Sequence, residues 1–231
     1  MKTIGIIGGM SWESSVQYYT IINRAVRDRL GPMNSAQILM HSLDFAPLAA
    51  LQKAGEWGQL GAIMVASAQA LKAGGADCVL IATNTMHKLV PEIEAACDLP
   101  LLHIADAAGE AITAQGLTKV ALLGTAFTME QDFYRARLAE KHVLDVIIPD
   151  AAERAEVHRI IYEELISGKV LDSSREAYRA IIARLAEAGA QGVILGCTEI
   201  ALLIGEEDSP VPIFDTTELH AMKAVEFALG A

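Results

Sequence analysis

Two short stretches of this 231-residue chain end a run of apolar residues with a side chain that could move a proton. In residues 192–199 the apolar run ends at Gly196, and Cys197 follows it directly. A cysteine between a strand end and a helix start lies near unpaired backbone N–H groups and a positive dipole end, and both favour the thiolate. The alternative is a small buried residue that closes the turn, since free cysteines are commonly buried.

A similar stretch lies upstream, because residues 76–85 align with residues 190–199 without a gap. In that alignment Thr83 takes the place of Cys197. Two further pairs of landmarks recur at nearly the same spacing, namely the glycines that end two strands and two similar segments around a proline. These pairs are Gly8 with Gly124, and residues 99–102 with residues 211–214. Three separate anchors at nearly one spacing indicate an internal duplication.

Apolar strands alternate with helical segments along the whole chain, which predicts parallel sheets covered by helices on both faces. The predicted strands are 3–7, 38–43, 78–82, 101–104, 119–123, 143–148, 192–195 and 213–214. The first predicted helix has Ser11 as its N-cap and runs to about Leu30. The other predicted helices are 47–53, 57–73, 88–96, 105–115, 129–141, 151–167, 174–188, a segment starting near 200, and 218–229. We therefore predict an α/β fold of two pseudo-symmetric lobes. One lobe comprises residues 1–104 with the C-terminal helix 217–231, and the other comprises residues 105–216.

Ligands of parallel α/β sheets bind at the carboxyl ends of the strands. If two like lobes pack face to face, Thr83 and Cys197 are expected on opposite sides of a cleft. Two acid–base groups in that arrangement can remove a proton from one face of a carbon and return one to the other, which inverts a stereocentre without a cofactor. Backbone N–H groups near the strand ends are candidate donors for a substrate carboxylate, where negative charge develops during the reaction. These candidate residues are Gly9, Met10, Ser11, Asn84, Thr85, Gly124, Thr125 and Thr198.

Composition excludes several other classes of function. The net charge of −11 argues against binding to nucleic acid or to anionic membrane surfaces. Three cysteines and six histidines without metal-ligand spacing predict neither a disulfide framework nor a metal site. No stretch reaches the roughly 18 apolar residues of a membrane helix, and the glycines after the first strand lack a dinucleotide fingerprint. We expect a soluble cytoplasmic protein without a cofactor or metal.

At these residues the chain resembles the PLP-independent aspartate/glutamate racemases, over nearly its whole length. The resemblance depends on Ile4-Gly5-Ile6-Ile7-Gly8-Gly9-Met10, Thr83-Asn84-Thr85-Met86-His87 and Gly196-Cys197-Thr198-Glu199. It implies a two-lobed α/β fold, commonly a homodimer, with acidic amino acids as small-molecule substrates. It also implies a catalytic cysteine after a strand in each lobe.

The chain departs from the family pattern at the first of these cysteines, where it carries Thr83. An alcohol is a far weaker acid than a thiol, whose reference pKa is near 8.5, so Thr83 is a poor base. It could still donate a proton, directly or through a water. In related enzymes the cysteine of the second lobe serves the L-enantiomer. The hypothesis is a racemase in which Cys197 removes the α-proton of L-substrates and Thr83 assists reprotonation of the opposite face.

Four further residues have both a functional and an ordinary interpretation. By resemblance, Lys169 corresponds to a cation that binds a substrate carboxylate, although it could equally be a solvated lysine at a helix end. Gln52 resembles a position that contacts the substrate side chain, where a neutral residue would admit other polar amino acids. His87 could orient the site or be incidental, and Glu199 could raise the pKa of Cys197 or be an ordinary first-turn residue.

Two other functions remain open. A decarboxylase of malonate-type acids from the same superfamily would need only one proton donor, which suits Cys197 with Thr83. A two-lobed protein that binds an amino acid without chemistry would also fit, with Thr83 marking a lost activity. Release of CO₂ from a disubstituted malonate, or ligand binding without α-proton exchange, distinguishes these functions from racemisation.

Overall fold

The computed structural model describes residues 1–230 and contains two four-stranded sheets in which every paired strand is parallel. The first sheet has the order β2-β1-β3-β4 and the second has the order β6-β5-β7-β8. The strands are β1 (Ile4–Gly8), β2 (Ile38–Ser42), β3 (Cys78–Ile81), β4 (Leu101–Leu102), β5 (Lys119–Gly124), β6 (Asp145–Ile147), β7 (Val193–Gly196) and β8 (Ile213–Asp215). The predicted α/β fold with two parallel sheets is confirmed, and the shared strand order agrees with a duplication.

Helices connect the strands in both halves of the chain. They are α1 (Trp12–Leu30), α2 (Phe45–Ala54), α3 (Trp57–Ala73), α4 (Val90–Ala96), α5 (Ile104–Ala114), α6 (Ala126–Glu130), α7 (Asp132–His142), α8 (Ala151–Glu163), α9 (Asp172–Glu187) and α10 (Thr216–Leu229). Four 3₁₀ turns cover Thr85–Leu89, Leu165–Ser167, Thr198–Leu202 and Glu206–Asp208. Within residues 1–230, none of these helices has the length and apolar character needed to cross a membrane.

The chain divides into two compact units. The first unit contains residues 1–104 together with the C-terminal helix from His220 onward, and the second contains residues 105–219. Each unit therefore carries one complete sheet.

In the first unit, β1 and β3 are buried along their whole length, which explains their uninterrupted apolar sequences. Their side chains alternate between two cores, because successive strand residues point to opposite faces. Val79 and Ile81 pack with α3, whereas Cys78 and Leu80 pack with α1 and α10. A fully buried aliphatic side chain contributes about 1.5–3 kcal/mol, so both faces of the sheet stabilise the unit.

The turn after β1 requires a glycine. Gly9 has φ +88°, and a Cβ atom there would lie 2.1 Å from the carbonyl oxygen of Leu43. The backbone of the β2–α2 connection thus packs directly on the end of β1, which fixes the position of the residues that follow Gly9.

In the second unit, β7 is buried along its whole length, and Lys119 is the one residue of β5 that is partly exposed. The core on one face of this sheet combines both strands with α8 and α9, including Val157, Ile161 and Tyr178. Ile200, from the turn that follows Cys197, belongs to the same core. Packing of the turn onto the core therefore holds the segment that carries the cysteine.

Several predicted elements differ from the observed ones. The predicted helix 129–141 is two helices, α6 and α7, because the backbone at Gln131 is extended. The predicted strand 143–148 is shortened, because Val143 adopts φ +56° and its N–H caps α7 through Ala139 and Leu138. The predicted helix 151–167 ends at Glu163 and continues as a separate 3₁₀ turn. The helix expected near residue 200 is a 3₁₀ turn of five residues, and the strand expected over 101–104 contains only Leu101 and Leu102.

Candidate active site

Thr83 lies just beyond the carboxyl end of β3. It is the first partly exposed residue after that buried strand, and the neighbouring Asn84 and Thr85 are buried. The 3₁₀ turn Thr85–Leu89 begins directly afterwards, so the chain reverses away from the sheet at this point. Thr83 therefore lies at the carboxyl end of the sheet, where ligands of parallel α/β folds bind.

His87 fixes the backbone of Thr83. The Nδ1 of His87 lies 2.8 Å from the Thr83 carbonyl oxygen, and its Nε2 lies 3.2 Å from the backbone nitrogen of Ile104. An N–H donates and a carbonyl accepts, so Nδ1 carries the proton and Nε2 accepts from Ile104. The neutral imidazole thus joins Thr83 to Ile104, the first residue of α5.

Replacing His87 with alanine is expected to destabilise the protein by about 1–3 kcal/mol, because both backbone groups lose a buried partner. Urea unfolding followed by circular dichroism measures the change. His87→Gln retains an amide donor and an amide acceptor on a side chain of similar reach, and it should recover part of the loss. Equal stability of the alanine variant and the wild-type protein would show that neither hydrogen bond matters.

The segment after β1 supplies two of the predicted substrate-binding residues, and α2 supplies a third. Met10 and Ser11 are buried, and the Ser11 hydroxyl caps α1 by accepting the Ser14 N–H at 3.3 Å. Gln52 is buried on α2. A ligand that bonds the Ser11 hydroxyl would therefore share it with the helix cap.

Cys197 occupies the corresponding position in the second unit. It is the first partly exposed residue after the buried strand β7, which pairs with β5 and β8. Its Sγ donates to Oε2 of Glu199 at 3.0 Å. The Thr198 hydroxyl donates to the same Oε2 at 2.7 Å, so the two groups share one carboxylate oxygen.

The surroundings of Cys197 favour the thiol rather than the thiolate. Burial, and then the charge and hydrogen bond of the Glu199 carboxylate, raise the pKa of Cys197 well above its ordinary value. A backbone N–H of Glu199 acts in the opposite direction but is outweighed. The prediction that the strand–helix junction favours the thiolate is therefore wrong. The junction is followed by a short 3₁₀ turn with a carboxylate in its first turn, and that charge opposes the thiolate.

Thr125 and Lys169 lie in the same unit as Cys197. Thr125 is buried and caps α6, accepting the Thr128 N–H at 3.4 Å. Thr125 caps the helix after the first strand of its unit, as Ser11 caps the helix after β1. The two units therefore share this strand–cap–helix arrangement. Lys169 is exposed, just after the 3₁₀ turn Leu165–Ser167, and that turn packs against the turn Thr198–Leu202. The loop that carries Lys169 is therefore near the segment of Cys197.

Two residues of α8, Tyr162 and His158, were not identified from the sequence. Burial, and then nearby negative charge, raises the pKa of the Tyr162 phenol. The ring of His158 lies 4.5 Å from the Tyr162 ring, and its Nδ1 accepts the Ala126 N–H at 3.2 Å. Burial lowers the pKa of His158, so its imidazole is neutral at neutral pH. The signal in the sequence was their four-residue spacing, which puts both on one face of α8.

The predicted residues are divided between the two units. Thr83, Asn84 and Thr85 form one group, with Met10, Ser11 and Gln52 in the same unit. Cys197 and Thr198 form the other, with Thr125 and Lys169 in the second unit. Across residues 1–230 there is no cluster of three or more histidine, cysteine, aspartate or glutamate side chains that could hold a metal ion.

Comparison with known proteins identifies relatives along nearly the whole chain. The family model described as Asp/Glu/Hydantoin racemase matches residues 7–224. A proposed Asp/Glu racemase from Yersinia pestis is 51% identical, with a TM-score of 0.94 over 99% of this chain and 100% of its own. An aspartate racemase homologue from Pyrococcus horikoshii is 36% identical, with a TM-score of 0.87 over 99% and 100%. An aspartate racemase from Picrophilus torridus shares the fold at 20% identity, with a TM-score of 0.78 over 99% and 94%.

Proposed function

Because this chain belongs to the Asp/Glu/Hydantoin racemase family, we propose that it is a cofactor-independent amino-acid racemase for aspartate, glutamate and other polar L-amino acids. The observation that carries the proposal is the matching position of Thr83 and Cys197. Each is the first partly exposed residue after the third strand of its unit, in two sheets with the same strand order. Residues that occupy equivalent places in a duplicated fold are suited to equivalent tasks on opposite faces of one carbon.

In this mechanism the sulfur of Cys197 takes the α-proton of an L-amino acid. The electron pair of the broken C–H bond moves into the substrate carboxyl group, which becomes enolate-like. Preorganised N–H donors stabilise that charge. Such donors are proposed where α1 starts, after Ser11, since the first N–H groups of a helix have no partner within it. Thr125 is the corresponding capping residue of α6, where the Ala126 N–H donates to His158 and the Thr128 N–H to Thr125 itself. The proposal requires both units to contact the same substrate.

Thr83 then supplies a proton to the opposite face, directly or through a water. A threonine hydroxyl can pass on a proton, but its very high pKa makes it a poor base for removing one. D-amino acids, whose α-hydrogen would face Thr83, therefore exchange that hydrogen slowly. Net conversion in either direction passes through the same Thr83 step and is limited by it, whereas α-exchange of the L-enantiomer through Cys197 is not. The family resemblance, in which the second cysteine serves the L-enantiomer, supports the same assignment.

Substrate recognition is proposed to involve Lys169 and Gln52. An exposed lysine on the loop beside the Cys197 segment can bind a carboxylate, whereas the buried amide of Gln52 accepts several polar side chains. The net charge of −11 would repel anionic substrates at long range. Salt screens that field over roughly 8–10 Å, so local donors dominate at contact distance.

Nuclear magnetic resonance in D₂O tests this function. We expect α-deuteration of L-aspartate or L-glutamate and little or none of the D-enantiomers, because only Cys197 is a competent base. The same panel should include other polar L-amino acids and a disubstituted malonate. Equal deuteration of both enantiomers would refute the asymmetry, and CO₂ release from the malonate without any exchange would identify a decarboxylase instead.

We also propose that the protein is a cytoplasmic homodimer. Trp12, Val16 and Tyr19 lie on one face of α1 and are 64%, 52% and 53% exposed, and neighbouring apolar side chains of this size are typical of an interface. Light scattering after size exclusion measures the mass. A dimer that becomes a monomer in Val16→Glu supports the assignment of this face, and a monomeric wild-type protein excludes it.

A further inference from the structure

We propose that Glu199 is the base that removes the thiol proton of Cys197, which makes the sulfur competent to take the substrate α-proton. This inference rests on the proposed racemase function and assigns the activating group of its site. It is carried by the position of one carboxylate oxygen against the sulfur.

The geometry is that of an acid–base pair. Oε2 of Glu199 lies 3.0 Å from Sγ of Cys197, which donates to it. Glu199 is only 7% exposed, and the Thr198 hydroxyl donates to the same oxygen at 2.7 Å. A second donor on that oxygen holds the carboxylate in place. The accepting oxygen of Glu199 is therefore held beside Sγ of Cys197, the atom from which the proton must leave.

Two nearby tyrosines do not compete with Glu199 for the thiol proton. Burial is the main cause that raises the pKa of the Tyr162 phenol on α8 and of the Tyr178 phenol on α9. Neither phenol is therefore ionised near neutral pH, and neither competes for the thiol proton. Glu199 thus supplies the carboxylate that the thiol contacts.

The proton balance closes without a further reactant. In the first step the S–H bond of Cys197 breaks and an O–H bond forms on Glu199, so the net charge of the pair is unchanged. The thiolate then takes the α-proton, and the freed electron pair enters the substrate carboxyl group. Thr83 passes a proton from water to the opposite face, and Glu199 returns its proton to water. Each turnover therefore takes one proton from solvent and gives one back.

This transfer has a signature that needs no substrate. Moving a proton within the pair does not change the number of bound protons, so the resulting thiolate population is independent of pH. We expect the rate of Cys197 alkylation by iodoacetamide to be flat between about pH 6 and 8. The alkylation rate of an isolated thiol would instead rise about tenfold with each unit of increase in pH, as long as the pH stays below the pKa of the thiol.

The alkylation experiment uses the intact wild-type chain, with the modified cysteine identified by mass spectrometry. Cys78 and Cys97 are buried, and burial raises the pKa of Cys78 to about 11, so background reaction is slow. Cys197→Ser measures that background. In Glu199→Gln the alkylation rate of Cys197 should rise about tenfold per pH unit instead of staying constant. In Glu199→Asp the rate should stay constant over part of the pH range.

The same variants separate activation from structure. Glu199→Gln should lower kcat for L-glutamate α-deuteration by about 10²- to 10³-fold with little change in KM, and the loss should shrink as the pH rises.

A wild-type alkylation rate that climbs tenfold per pH unit, with Glu199→Gln reacting faster, overturns the proposal. The wild-type profile decides this even if the glutamine variant fails to fold. If the alkylation rate of Cys197 is independent of pH but L-glutamate is not α-deuterated, Glu199 keeps its proposed role and the racemase function is refuted. If L-glutamate is α-deuterated but the alkylation rate rises with pH, the racemase function stands and the role of Glu199 is refuted.

Discussion

Replacing Cys197 with serine is expected to reduce α-deuteration of L-amino acids by at least about 10³-fold, because an alcohol cannot serve as the base at neutral pH. The hydroxyl is smaller than the thiol and fits the same space. The side chain is partly exposed at the end of β7, so the fold should tolerate the change. The measurement is the initial rate of deuterium incorporation into L-glutamate, with thermal unfolding as a check on structure.

Cys97→Ser provides a matched control for the serine substitution. Cys97 is buried in the core of the first unit and has no place in the proposed chemistry. Its substitution should lower stability and leave the exchange rate of the folded protein unchanged. If Cys197→Ser retains more than about a tenth of the wild-type rate, Cys197 is not the base and the mechanism is wrong.

Replacing Thr83 with cysteine is expected to raise α-deuteration of D-glutamate by about 10²- to 10⁴-fold, because it introduces an ionisable thiol where the chain has an alcohol. The residue after it, Asn84, is buried, and the turn that follows is held through His87, so a side chain of similar size should keep its position. The rate for the L-enantiomer should change far less, since Cys197 still removes that proton.

Thr83→Ser separates the thiol from the effect of any substitution. It keeps the hydroxyl and loses only a methyl group, so D-glutamate should remain a poor substrate while L-glutamate is still exchanged. Absence of any gain for the D-enantiomer in Thr83→Cys would show that this position does not face the substrate α-carbon.

Local sequence patterns predicted the main elements because strand burial and helix amphipathicity depend on residues close in the chain. The apolar run of β3 and the glycines after α3 define their boundaries to within a residue. The patterns failed where a backbone conformation depends on its partners. The break between α6 and α7 at Gln131 and the left-handed Val143 have no signal in their own residues.

The site shows the same division. The duplication placed Thr83 and Cys197 at strand ends, and Ser11 was correctly predicted to cap α1, because capping is a local interaction. The bond between His87 and Ile104 joins residues 17 positions apart, and the bond between Ala126 and His158 joins residues 32 positions apart. Such contacts depend on how helices pack on the sheet.

The sequence by itself determined the family, the repeated α/β pattern and one candidate residue after the third strand of each half, Thr83 and Cys197. Tertiary structure alone decided the protonation of Cys197. Burial beneath α8 and α9 and the direction of the Glu199 carboxylate outweigh the nearby backbone N–H, so the resting sulfur carries its proton. The physical reason is that a pKa responds to desolvation and to charges within a few ångströms, and folding sets both.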